Sequence, residues 1–236
     1  MSAAMENRLV IFGVSNILSD LFDCALARQW TLAKVVVHLA EAAEARDIAL
    51  SERLRALSAL GAAPRVQTLA EFEPAPGELY LLGPTTPARA ALARELVERF
   101  GMSFTTLVHP TAYVSPLATL GQGVFVGANS VIGPGAQLDE HVFVNRGATI
   151  GHDTRIGAFS RIQPGCNLGG LSRLGRGVTI GIGATLIERL VIGAGAYVGA
   201  GAVVTSDVAA STLVVGVPAH FKKLLGDAAQ DSRGQA

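Results

Sequence analysis

His152 and the adjacent Asp153 set an imidazole beside a carboxylate. An imidazole so placed can take a proton from an attacking amine or hydroxyl. Eighteen residues further along stands Gly170, where no side chain shields the backbone, and an accessible main-chain N–H can receive negative charge building on a carbonyl oxygen. The remaining histidines of this half, His109, His141 and His220, show no ligand spacing: His141 and His152 lie eleven positions apart. Cys24 and Cys166 form neither a metal nor a disulfide pattern and read as core residues of a chain from a reducing compartment.

Those residues sit in a repeat. From Val108 to Val204 every sixth residue is aliphatic, through Val114, Leu120, Val126, Ile132 and onwards without a slip. Neither the helical period nor simple alternation gives this register, whereas a hexapeptide β-helix does. Three hexapeptides close one triangular coil, so residues eighteen apart stack, and His152 stands one coil below Gly170. The residue after each aliphatic is often Gly, as at Gly121, Gly151, Gly169 and Gly181, and these glycines are expected to form the corners. Four residues after each aliphatic the chain prefers small side chains, such as Ala136, Ser160 and Cys166, which suit a narrow interior. His152 lies beyond the corner Gly151 and is expected to point outwards.

Residues 1–106 read as a separate α/β domain. Leu9–Gly13 is a strand entering a tight turn, with Ser15 or Asn16 capping a helix that shows Leu18, Phe22 and Leu26 on one face. Ala33–Val37 and Leu79–Leu82 are further strands, a helix is expected near Leu50 to Ala59, and another follows a Thr86 cap with Pro87 at its first position, ending near Gly101. A last strand is expected over Phe104–Val108, and residues 39–76 otherwise carry little pattern. This is a Rossmann-like arrangement. Its first turn holds Gly13, Ser15 and Asn16 but only one of the three fingerprint glycines, and Val37-His38 lacks the acidic residue that holds a ribose hydroxyl, which argues against a dinucleotide cofactor. Lys+Arg and Asp+Glu both number 19, so no nucleic-acid partner is indicated. The only N-terminal apolar run, Leu9–Val14, is too short for a signal peptide or membrane span, and the expectation is a cytoplasmic protein.

The order of a short Rossmann-like domain and hexapeptide repeats, with Val144-Asn145, Ile150-Gly151-His152-Asp153, Gly199-Ala200-Gly201-Ala202-Val203-Val204 and Gly216-Val217-Pro218-Ala219, resembles the bacterial sugar O-acyltransferases. That family includes sialic acid O-acetyltransferases and N-acetyltransferases of nucleotide-linked 4-amino sugars. The resemblance implies a left-handed parallel β-helix over residues 107–222, a flexible tail over 223–236, a homotrimer, and acetyl-CoA bound between neighbouring subunits with no metal. It places the general base at His152, an orienting carboxylate at Asp153, an acceptor contact at Asn145, and donor contacts at Gly170, Gly181, Ala200 and Gly201. Gly13, Ser15 and Asn16 would meet a nucleotide. Where many relatives carry histidine, this chain has Arg161, either a phosphate contact for the coenzyme or nucleotide or a surface charge. The leading expectation is N-acetylation of the 4-amine of a nucleotide-linked sugar. Sugar O-acetylation and a non-catalytic trimeric nucleotide-sugar binder are the alternatives. A γ-type carbonic anhydrase, a zinc enzyme on the same coil, would require an H-x4-H pair that the sequence lacks.

Overall fold

The computed structural model describes residues 7–38 and 48–226. Its N-terminal part is a four-stranded parallel sheet formed by β1 (Arg8–Phe12), β2 (Thr31–Val37), β3 (Arg65–Thr68) and β4 (Glu78–Leu82), in the order β3-β2-β1-β4. Alternation along β1 sends Leu9 and Ile11 to one face and Val10 and Phe12 to the other. Helices α1 (Leu18–Ala27) and α2 (Leu50–Ala59) cover the first face through Leu18, Leu21, Leu50 and Leu57, and α3 (Arg89–Phe100) covers the second through Leu92 and Leu96. Both faces are buried, which accounts for near-continuous apolar runs in β1 and β2 rather than clean alternation.

Several boundaries differ from those expected. Helix α1 begins at Leu18 with no side-chain cap, because the Ser15 hydroxyl donates instead to the Gly83 carbonyl at 2.8 Å. The chain around Thr86 and Pro87 makes a preliminary turn, and α3 proper starts at Arg89 before closing on Gly101 in the left-handed conformation at φ 62°. Strand β3 carried no apolar signal, since it is an exposed edge. The expected strand over Phe104–Val108 reduces to a single bridge between Phe104 and Tyr80, followed by the first coil strand.

The repeat folds as read. Seventeen two-residue strands, from β5 (Leu107–Val108) to β21 (Val203–Val204), each end on one of the periodic aliphatics. Parallel pairing links residues eighteen apart, as in Val108 with Val126 and Ile150 with Leu168. Three sheets form the faces of a prism: the first holds Val108 through Val198, the second Val114 through Val204, and the third Leu120 through Ile192. The aliphatics fill a continuous core with Ala136, Ala148 and Cys166. Interior hydroxyls serve the stack as well: Ser130, Thr154, Ser160 and Ser172 each bond a carbonyl fifteen residues ahead, so no buried hydroxyl among them lacks a partner.

The role assigned to the glycines needs correction. From Leu120 to Val198 the left-handed corner falls three residues after the aliphatic, at Gly123, Gly165 and Gly195 but also at His141, Asp153, Phe159, Leu171 and Arg189, with φ between 55° and 68° for the residues named. The glycine directly after the aliphatic is required instead for close stacking: a Cβ on Gly151 would lie 2.5 Å from the Gly170 nitrogen of the next coil. Beyond the coils, β22 (Thr212–Val215) and the antiparallel β23 (His220–Leu224) extend the first face. The tail expected from residue 223 therefore begins as strand, with Leu225 still bonding Ser211 at 2.7 Å; residues 227–236 lie outside those described.

The two parts share their cores. Leu107, Phe125 and Phe143 on the lower first face join the cluster of α1 and α2, and Ala158 and Phe159 at its border with the third face join that of α3. Phe125 and Phe143 stack at 4.8 Å, and burying each ring stabilises the junction by roughly 1.5–3 kcal/mol. Arg146 to Asp20 at 2.9 Å and His109 to Asp23 at 3.6 Å flank this contact on the other border.

Candidate active site

The corner between the second and third faces carries the candidate catalytic pair. Asp153 takes the left-handed corner conformation, φ 55°, so its side chain doubles back beside His152 instead of pointing to the opposite side as on an extended strand. Asp153 Oδ2 lies 2.9 Å from His152 Nδ1, and both side chains are 58% exposed. A carboxylate accepts only, so Nδ1 is the N–H donor and Nε2 keeps its lone pair for an incoming proton.

The ring lies over Gly170. A Cβ there would stand 2.7 Å from His152 Nε2, so a glycine at this rung is what lets the imidazole approach the next coil so closely. Backbone bonds hold both rungs: Leu171 donates to the His152 carbonyl at 2.8 Å and Arg189 to that of Gly170 at 2.9 Å. Among the described residues the Gly170 N–H has no hydrogen-bond partner. The corner thus combines a proton acceptor, an oriented carboxylate and a donor N–H within adjacent coils, which suits acyl transfer.

The other sequence-derived residues are distributed elsewhere. Asn145, Gly181, Ala200 and Gly201 occupy the corner between the first and second faces. Asn145 is buried there; its Oδ1 accepts from the Arg146 N–H at 2.8 Å and its Nδ2 faces Gln163 Oε1 at 3.5 Å. A single chain does not bring this corner to His152. Arg161, expected at the surface or on a phosphate, is 5% exposed on the first face, with Nε on Thr179 Oγ1 at 3.2 Å. Burial lowers its pKa, and Tyr197 counteracts this. The surface reading fails because docking of the N-terminal part, which no local pattern announces, covers that face.

Gly13, Ser15 and Asn16 lie at the carboxyl end of β1. Gly13 adopts φ 85°, and a Cβ would meet Pro84 at 2.8 Å and the His38 ring at 3.0 Å. The Asn16 carbonyl accepts from Arg53 at 3.2 Å. His38 was not singled out beforehand as a site residue; among the described residues the Nδ1 of its half-buried ring has no partner, and burial lowers its pKa against the opposing effect of Glu95. Arg89 was also missed. It is 4% exposed and its guanidinium donates to the carbonyls of Thr85, Thr86, His141 and Ser160. Among the described residues, no group of three or more His, Cys, Asp or Glu could hold a metal, and no helix is long and apolar enough to cross a membrane.

No protein-family model and no curated protein matches the sequence. Solved structures do. The acetyltransferase domain of PglB from Neisseria gonorrhoeae FA1090 is 26% identical over 92% of this chain and 100% of its own, with a TM-score of 0.75. PerB from Caulobacter crescentus, solved with CoA and GDP-perosamine, is 29% identical over 94% of this chain and 100% of its own, at a TM-score of 0.73. The structural neighbours are bacterial sugar acetyltransferases of the hexapeptide-repeat type. WeeI from Acinetobacter baumannii AYE, 20% identical over 91% of this chain and 99% of its own with a TM-score of 0.68, shares the fold of these acetyltransferases. The β-helix is common to the group, and the match extends across the N-terminal sheet as well.

Proposed function

We propose that the protein transfers the acetyl group of acetyl-CoA to the 4-amine of a nucleotide-linked amino sugar. The observation that carries this reading is the His152 imidazole, oriented by Asp153 and lying on side-chain-free Gly170. The likeness to PerB, solved with CoA and GDP-perosamine, supports the donor and acceptor class. His152 Nε2 takes a proton from the amine as nitrogen attacks the thioester carbon. The new C–N bond leaves a tetrahedral oxyanion, which the Gly170 N–H stabilises. Collapse breaks the C–S bond, and the proton leaves with the coenzyme thiolate as the free thiol.

In this reading the coil of residues 107–222 is a left-handed β-helix and residues 1–106 are a Rossmann-like acceptor domain whose Gly13, Ser15 and Asn16 meet the nucleotide. Three copies assemble in the cytoplasm so that the His152 corner of one faces the Asn145 corner of the next. The division of site residues between two corners supports this assembly, as do the exposed Tyr113 and Val131 on the second face. Gly181, Ala200 and Gly201 then line the coenzyme side, and Arg161 supports the site from within rather than as a surface charge. A thiol-release assay with acetyl-CoA and UDP-, GDP- and dTDP-linked 4-amino sugars tests the proposal. Turnover of one of them is expected, whereas acetylation of free sialic acid alone would replace it with O-acetylation.

A further inference from the structure

The β4–α3 loop, residues 83–88, is held at both ends by unrelated contacts. At its start, the Gly83 carbonyl accepts from the Ser15 hydroxyl at 2.8 Å, and Pro84 closes against Gly13, so the loop forms one wall of the crevice at the carboxyl end of β1. At its end, Arg89 reaches back. Nη1 donates to Thr85 and, at 2.9 Å, to Thr86; Nη2 donates to His141 and, at 3.3 Å, to Ser160. Two acceptors belong to the loop and two to the coil.

Among the described residues no carboxylate shares in this arrangement. The guanidinium rests 5.7 Å over the Phe159 ring, which stacks at 4.8 Å on His141, itself edge-on to Phe104 at 4.6 Å. A second buried guanidinium, Arg161, stands near enough to oppose it electrostatically. A cation is costly to bury without an anion, so simple stability does not explain an arginine at this position. Its planar fork does: only that geometry reaches two carbonyls on each side at once.

We infer that Arg89 is a positioning residue that fixes the acceptor wall, residues 83–86 with Gly13 and Ser15, at a set height on the coil. This rests on the proposed reading of that crevice as the nucleotide site. The acceptor's reactive amine must reach a base on a rigid coil while its nucleotide is held by a separate sheet, so an error in the wall's height becomes an error at the reacting atom. A misplacement of about 1 Å is enough to matter.

The test compares wild type with Arg89→Lys and Arg89→Met in hydrogen exchange of the 83–88 amides, together with kcat and KM for each substrate. The expected result is faster exchange in this loop in both variants and a kcat/KM for the nucleotide sugar lowered by about tenfold or more, with KM for acetyl-CoA unchanged. Lysine, with one ammonium for four carbonyls, should rescue little. Unchanged loop exchange, or an unchanged kcat/KM for the nucleotide sugar, would overturn the inference. Should Arg89→Met fail to fold, Arg89→Lys carries both readouts. If the wild type acetylates no nucleotide sugar, the functional reading fails, while the exchange measurement still decides whether Arg89 holds the loop.

Discussion

His141 and His152 leave the same repeat one place apart, the third and second residues after their aliphatics, yet they meet opposite surroundings. His152 stands in the open with a carboxylate on Nδ1 and a glycine beneath its ring. His141 lies between Phe104 and Phe159, its Nδ1 has no partner among the described residues, and burial, helped by the Arg89 and Arg176 cations, pushes its pKa down to about 4. The hexapeptide determines where a side chain exits the coil. Whether another part of the molecule covers that corner determines what the side chain can do. One histidine is available for proton transfer, and the other is a neutral aromatic block under the docked sheet.

The largest effect expected from this contrast is on stability against pH. His141 has a folded pKa near 4 and an ordinary value near 6.5, so between these the unfolded chain binds the extra proton. The associated stability is present above about pH 6.5 and is lost as pH falls through about 4, a change of roughly 3 kcal/mol. Urea midpoints at pH 7 and pH 4.5 should fall more steeply for wild type than for His141→Phe; parallel slopes would show that the ring is not held neutral.

Gly170→Val probes the open corner. Its side chain would occupy the place of the imidazole, and turnover should drop by about a hundredfold while the melting temperature stays close to wild type. Gly151→Ala probes the stacking of the coils. Its Cβ would press on the Gly170 nitrogen at 2.5 Å, and thermal unfolding should report a loss of about 1–3 kcal/mol. The smallest change should come from Asp153→Asn, because asparagine tolerates the left-handed corner and its amide oxygen can still accept from Nδ1–H, but it lacks the negative charge that steadies the imidazolium. A fall of about tenfold in kcat with an unaltered melting curve is expected, and an unchanged rate would remove Asp153 from the site.

Much of this was legible in the residues because coil and sheet are local constructions. The aliphatic period gave every strand of the prism, and the helix expected near Leu50 to Ala59 is α2. His152, Asp153 and Gly170 came together because stacking by eighteen is a property of the repeat. The failures arose where one part meets another. Arg161 read as a surface or phosphate contact and Arg89 as an unremarked helix residue, since neither position shows from its neighbours in sequence that a face will be covered. Ser15 read as a helix cap, but the Gly83 carbonyl, 68 residues away, took its hydroxyl. The glycines after the aliphatics read as left-handed corners, whereas their requirement is contact with the next coil.

The most direct test of the account is kcat for acetyl transfer measured at one pH for His152→Ala and His141→Phe beside wild type. Loss of about a hundredfold or more in His152→Ala, with His141→Phe within a few-fold of wild type, is the predicted result. Undiminished turnover in His152→Ala, or the larger loss in His141→Phe, would contradict it.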